Sequence, residues 1–232
     1  MVVYNMEEKA SSKRGCYPTL SGLYSMIPRD VRLHMERVGI YGEVFCKYLL
    51  KHDLLKIELE NEFVEHLRDM YTLHDIGRAF VPDRFQNKAG GLTEEEYEQV
   101  KRHTTLTPDV LDSIYELELS EALQRRLLNI ALYHHERWDG TGYPFQLKEE
   151  QIPMEASICA LVDAYDGMTS WKPYRSSMDI ETVKKIILKE AGKQFHPGLA
   201  WAFVSCVDSF PKNLGAEWEA QAGKYFCTNK DG

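Results

Sequence analysis

No stretch of the 232-residue chain approaches the roughly 18 consecutive apolar residues that a membrane span requires. The opening MVVYNMEEKASSKRG lacks the basic, then apolar, then small-residue order of a secretory signal, so a cytoplasmic protein is the expectation. Cationic residues are in the minority. The 28 Lys and Arg against 36 Asp and Glu leave a net charge of -8 with histidine neutral, which disfavours non-specific binding to duplex nucleic acid or anionic lipid. Any phosphate ligand must then meet a local basic pocket. The five cysteines, Cys16, Cys46, Cys159, Cys206 and Cys227, are odd in number, widely spaced and form no CxxC pair. They read as reduced thiols rather than disulfides or zinc ligands. Internal repeats, low-complexity stretches and Gly/Ser linkers are also lacking.

What is present is an ordinary globular composition: 44% hydrophobic, 11% aromatic and 28% charged residues, which excludes disorder as the main state. One folded domain is expected over residues 21–212, with a loose polar arm at 1–20 and a tail at 213–232. The apolar pattern is helical. Val31, His34, Val38, Tyr41, Phe45 and Leu49 share a face at three- and four-residue steps, and similar stripes recur near 58–74, 94–103, 120–136, 154–168, 180–191 and 198–209. Thr93 followed by Glu94, Glu95 and Glu96 is a capping-box start, with Leu92 and Tyr97 placed as a hydrophobic staple, for a helix running into His103. Pro153 and Pro197 mark two further helix starts. Strand signals are lacking, and the expected fold class is all-α.

Of the eight histidines, five fall together with carboxylates: His34, His74 beside Asp75, His103, and the pair His134 and His135, with Asp163 completing the set. Imidazole with carboxylate suits iron, manganese or zinc, and the lack of clustered thiolates argues against structural zinc or an iron–sulfur site. Seven ligands are too many for one ion. Two or three divalent metals would account for them, with a carboxylate such as Asp75 bridging ions roughly 3.5–4 Å apart, and sites of this kind generate hydroxide at neutral pH. The ligands come from different helices, as in helical bundles that build carboxylate–histidine centres from facing side chains. His52 and His66 have no supporting neighbours, and His196, before Pro197, is better read as part of a helix start.

The run His134-His135-Glu136-Arg137-Trp138-Asp139-Gly140-Thr141-Gly142-Tyr143-Pro144, with His74-Asp75-Ile76-Gly77, resembles the HD-GYP domains, a branch of the HD metal-dependent phosphohydrolases. The resemblance continues through Ile152-Pro153, Asp163-Ala164-Tyr165-Asp166 and Thr169-Ser170-Trp171-Lys172-Pro173-Tyr174-Arg175, and less specifically through Asn87–Thr93 to His103. It covers roughly residues 30–210. It implies an all-helical HD bundle with a di- or trinuclear centre, iron or manganese, that hydrolyses cyclic di-GMP to pGpG or onward to GMP.

The resemblance also implies roles. His34, His74, Asp75, His103, His134, His135 and Asp163 match the metal ligands, and Asp30, one helical turn before His34, takes the place of the Glu that holds a third metal in some members. Its alternative reading is a helix N-cap after Pro28. Gly142, Tyr143 and Pro144 match the substrate-side loop, in which Tyr offers a flat ring to a guanine. Lys172 and Arg175 match the residues holding substrate phosphates, where the family's usual first residue is Arg. Arg78 stands where the family commonly has Lys, keeping the charge for substrate binding and catalysis beside Asp75 but unable to give up a proton. Glu136 and Asp139 are placed to orient ligand imidazoles, and Trp138 and Trp171 to pack. Two alternatives remain: an HD phosphohydrolase acting on another cyclic dinucleotide or nucleotide, and a non-catalytic receptor or adaptor that binds a cyclic dinucleotide or a signalling-protein partner.

Overall fold

Capping residues set where the helices begin. In the computed structural model, which describes residues 19–56, 59–86, 88, 91–114, 119–170 and 177–211, Thr19 Oγ1 accepts the Gly22 amide at the start of α1 (Leu20–Met26). α2 (Arg29–Lys51) follows Pro28 and is the longest helix described. Its 23 residues run about 34 Å at 1.5 Å per residue. Met35, Val38, Phe45 and Leu49 on it are buried, as the stripe through Val38 and Leu49 predicts. Residues 1–18 of the arm, the whole tail at 213–232, and Trp171, Lys172 and Arg175 lie outside the described residues.

The stripe expected over 58–74 is broken into α3 (Asn61–Glu65), α4 (Leu67–Thr72) and a 3-10 segment, Leu73–Phe80. Asp75 departs from helical geometry in that segment (φ −102°, ψ 16°). Gly77 lets it press against the next helix pair, because a Cβ there would run into the His103 carbonyl. After α5 (Asp83–Gln86), the predicted capping box is present at α6 (Glu94–Lys101): Thr93 Oγ1 accepts the Glu96 amide and Glu96 accepts the Thr93 amide. Tyr97 is exposed there, its ring under the Lys101 ammonium rather than folded into the core. The expected run into His103 is two helices, since the chain turns at Arg102 and α7 (His103–Ser113) starts anew.

α8 (Glu121–Tyr133) is capped by Ser120 and stops at His134, so the double histidine sits at a helix end, not within one. A loop then leads to α9 (Met154–Thr169), for which Pro153 is the cap, one residue outside the helix. α10 (Ile180–Lys189) is capped by Asp179. α11 (Pro197–Cys206) has Pro197 in its first turn and His196 Nδ1 accepting the Leu199 amide, the helix-start role expected of both.

The fold is the all-α bundle the periodicity predicts; among the described residues the β pairing is confined to an isolated bridge, Ala191 to Phe195. α2 packs along α4 and α9, and the 3-10 segment lies against α7 and α8. The core joins Phe45, Phe63, Tyr71, Leu127, Ile158, Leu161, Phe203 and Phe210. No described helix is long and apolar enough to cross a membrane. Cys46, Cys159 and Cys206 are buried and unbridged, as expected, while Cys16 and Cys227 lie outside the described residues.

Candidate metal centre

Five elements bring the seven expected ligands together: α2 (His34), the 3-10 segment (His74, Asp75), the start of α7 (His103), the end of α8 (His134, His135) and α9 (Asp163). They form two clusters, Asp75 with His103, His134 and His135, and His34 with His74 and Asp163, each with its ligand atoms within 4.8 Å of one another. Asp75 lies between them. Its Oδ1 is 3.0 Å from His103 Nε2 and 3.6 Å from His134 Nε2, while its Oδ2 is 3.7 Å from His74 Nε2. His74, Asp75, His103 and His134 are buried, whereas His34, Asp163 and His135 are half-buried and form the open side.

Each buried imidazole is aimed by a backbone carbonyl three or four residues earlier in the chain. His74 Nδ1 is 2.8 Å from the Tyr71 carbonyl, His103 Nδ1 is 2.7 Å from the Val100 carbonyl, and His134 Nδ1 is 3.1 Å from those of Ile130 and Ala131. A carbonyl only accepts, so Nδ1 carries the proton and Nε2 presents its lone pair to the centre. Burial, reinforced by neighbouring imidazoles, lowers His74 to about 4 and pushes His135 well down, which keeps both neutral as metal ligands must be. Burial opposes ionisation of Asp75, yet the Arg78 guanidinium and the imidazoles around it hold it well below the usual carboxylate range. His34 behaves oppositely: burial disfavours its cation, but Asp163 and Asp166 outweigh burial and raise it to about 10. The space between His34 and Asp163 therefore favours positive charge.

The donor set fits divalent metal ions. His74 Nε2 and Asp75 Oδ1 are buried without a hydrogen-bond partner among the described residues, and both point into the clusters. Unpaired buried polar atoms are costly, and coordination to a cation removes the cost. Asp30 is placed differently. It is exposed in the first turn of α2, belongs to neither cluster, and lies one residue inside the helix whose cap is Pro28.

Tyr143 stacks on His135 (centroids 4.8 Å apart, planes 26°), so the loop carrying Gly142, Tyr143 and Pro144 meets the open side of the centre. Gly142 is buried against the backbone of Glu136 and Arg137, where a Cβ would not fit, and Pro144 is half-buried beside it. Glu136 and Asp139 do not orient ligand imidazoles. Glu136, buried, accepts the Phe145 amide at 2.7 Å and the Leu147 amide at 3.0 Å; Asp139 accepts from the Thr141 amide and hydroxyl. Both carboxylates are used to hold the loop's shape. Trp138 packs on His196.

Arg78 donates from Nε to Asp75 Oδ2. Three other groups at the site carry no sequence assignment. Lys101 Nζ lies 5.3 Å from the Tyr143 ring centroid and 4.7 Å from that of Tyr97, a cation beside the loop that is also paired with Glu98 at 2.6 Å. Its position two residues before His103 is the signal that would have found it. Asp166, three residues after Asp163, and Arg37, three after His34, meet at His34, and their helical spacing from two ligands was legible.

A helical bundle enclosing a histidine–carboxylate metal centre is thus the class that fold and site define. The HD domain family model matches residues 44–199, and the chain belongs to that family. It is 33% identical over 193 residues to a cyclic di-GMP phosphodiesterase of Vibrio cholerae serotype O1, covering 83% of this chain and 39% of that one. It is 28% identical over 186 residues to a 3'3'-cGAMP-specific phosphodiesterase of the same organism, covering 78% and 32%. Among solved structures, a protein of Bdellovibrio bacteriovorus described as HDG"Y"P superimposes with a TM-score of 0.55 at 18% identity, over 82% of this chain and 56% of that one. The chain spans about a third to two fifths of the length of these curated relatives.

Proposed function

We propose that the chain is a metal-dependent phosphodiesterase that hydrolyses cyclic di-GMP to pGpG, and onward to GMP if the pocket admits the linear product. The observation that carries this reading is the convergence of seven ligands into two clusters with Asp75 between them. The named relative that acts on cyclic di-GMP supports the substrate class.

His34, His74 and Asp163 would hold one divalent ion, Asp75, His103, His134 and His135 a second, and iron or manganese suits such imidazole–carboxylate donors. Ions bound there supply Lewis acidity toward a phosphoryl oxygen and lower the pKa of water toward neutrality. The protein's own residues do the rest. The low pKa of His74 keeps an imidazole lone pair available at neutral pH. Tyr143, fixed over His135, offers a flat face for a base at the open side. Lys101, and Lys172 and Arg175 outside the described residues, offset phosphate charge in a protein whose net charge is -8. Arg78 holds Asp75 ionised.

A second reading, hydrolysis of a mixed cyclic dinucleotide, is favoured by the relative named for 3'3'-cGAMP. The two are separated by presenting cyclic di-GMP and 3'3'-cGAMP together to manganese- or iron-loaded protein and resolving products by chromatography. Faster loss of cyclic di-GMP supports the first; faster loss of the mixed dinucleotide supports the second. Binding of either without cleavage by metal-loaded protein would favour a receptor.

A further inference from the structure

His34 differs from the other ligands in how it is aimed. The Nδ1 atoms of His74, His103 and His134 meet carbonyls three or four residues earlier in the chain, an orientation the local backbone turn supplies whatever the side chains around it. His34 Nδ1 instead meets a side chain on another helix, Asp166 Oδ2 at 2.8 Å, across α2 and α9. A carboxylate only accepts, so Nδ1 donates to Asp166, and the other ring nitrogen, Nε2, faces Asp163 Oδ1, 3.1 Å away, within the His34–His74–Asp163 cluster.

Asp166 is itself held. Arg37, one turn beyond His34 on α2, donates from Nε to Oδ1 at 2.6 Å and from Nη2 to Oδ2 at 2.9 Å, and Ser170 Oγ donates to Oδ1 at 3.0 Å. The carboxylate is 2% exposed, so its charge is matched by a two-pronged guanidinium rather than by water. His34, Asp166 and Arg37 close a ring between α2 and α9, and that ring's outward product is the direction of one nitrogen.

We infer that Asp166, clamped by Arg37, is a positioning residue for His34 on which the His34–His74–Asp163 cluster depends for its metal ion, while the Asp75 cluster does not. This rests on the metal-centre reading above. Outer partners of ligating histidines are typically worth about 10- to 100-fold in metal affinity. The Asp75 cluster has its own backbone-aimed imidazoles, and the hydrogen bonds of Asp166 among the described residues go to His34, Arg37 and Ser170.

The test is equilibrium dialysis of the whole chain against Mn2+, with bound metal counted per protein and helicity checked by circular dichroism. Wild type is expected to bind two ions. Asp166→Asn, folded, is expected to retain one with wild-type affinity and to bind the other about 10- to 100-fold more weakly; Arg37→Gln is expected to shift the same ion less. Selective loss of one ion is a result that general loosening of the fold would not produce. Two ions bound by Asp166→Asn with wild-type affinity, or equal weakening of both, overturns the inference. Should Asp166→Asn fail to fold, Arg37→Gln carries the test, and unchanged binding of both ions overturns it. Wild type that binds no Mn2+ defeats the metal-centre reading itself, a distinguishable result.

Discussion

Arg78 Nε donates to the Asp75 oxygen that faces His74, while the other oxygen of Asp75 faces His103 and His134. Arg78 is thus tied to the carboxylate between the two clusters. A guanidinium there fixes Asp75 and keeps it ionised, and being permanently protonated it donates only hydrogen bonds and charge.

Replacing it separates these roles. Arg78→Ala is expected to lower kcat about 100-fold or more, the usual cost of deleting one preorganised charged donor. Arg78→Lys, which keeps the charge, should recover most of that loss. Steady-state kinetics on cyclic di-GMP check both, and an Arg78→Ala enzyme with wild-type kcat would remove Arg78 from the chemistry.

Glu136 ties the amides of Phe145 and Leu147, just after Tyr143 in the loop. Hydrogen bonds to a charged acceptor contribute about 1.5–3 kcal/mol each. Glu136→Ala is expected to loosen the loop, raising KM about tenfold or more while leaving bound metal unchanged. Metal analysis beside kinetics tests this, and loss of metal would place Glu136 in the centre after all.

Gly77 contacts His103 where a methyl group has no room. Gly77→Ala should cost about 1–3 kcal/mol, as overpacking does elsewhere, and move His103 relative to Asp75. Denaturant unfolding measures the first effect and Mn2+ binding the second. An Ala variant with wild-type stability would show that the 3-10 segment yields freely.

Metal should also stabilise the fold. The candidate ligands, from α2, the 3-10 segment, α7, α8 and α9, come together in two clusters, so an ion held by either would tie several elements to one another. An ion at 100 times its Kd adds about 2.7 kcal/mol, a rise in Tm of about 5–10 °C for a domain of this size. Calorimetry with Mn2+, then with a chelator, reads the shift; no shift would mean the clusters do not hold metal in the folded state.

Much of this was legible in the residues. Seven ligands could be named because adjacent pairs such as His134 with His135 are hard to explain otherwise, and the helical class followed from the three- and four-residue steps of α2. The helix ends were less legible. The break at Arg102 and the 3-10 turn through Asp75 follow from close packing at Gly77, a contact between segments about 26 positions apart in the chain that local pattern does not register. Adjacency in sequence suggests that Glu136 orients the ligand imidazoles, but past His134 the chain leaves the helix, and the carboxylate accepts the Phe145 and Leu147 amides of the loop instead. Asp166 and Lys101 lacked assignments because their partners, His34 and Tyr143, lie on other elements.

The most direct test of the central claim is product-resolved hydrolysis of cyclic di-GMP by protein purified without oxygen and loaded with manganese or iron, beside Asp75→Ala. The account predicts metal-dependent appearance of pGpG or GMP that Asp75→Ala abolishes. Cleavage that persists in Asp75→Ala, or no cleavage by wild-type protein with both clusters filled, would contradict it.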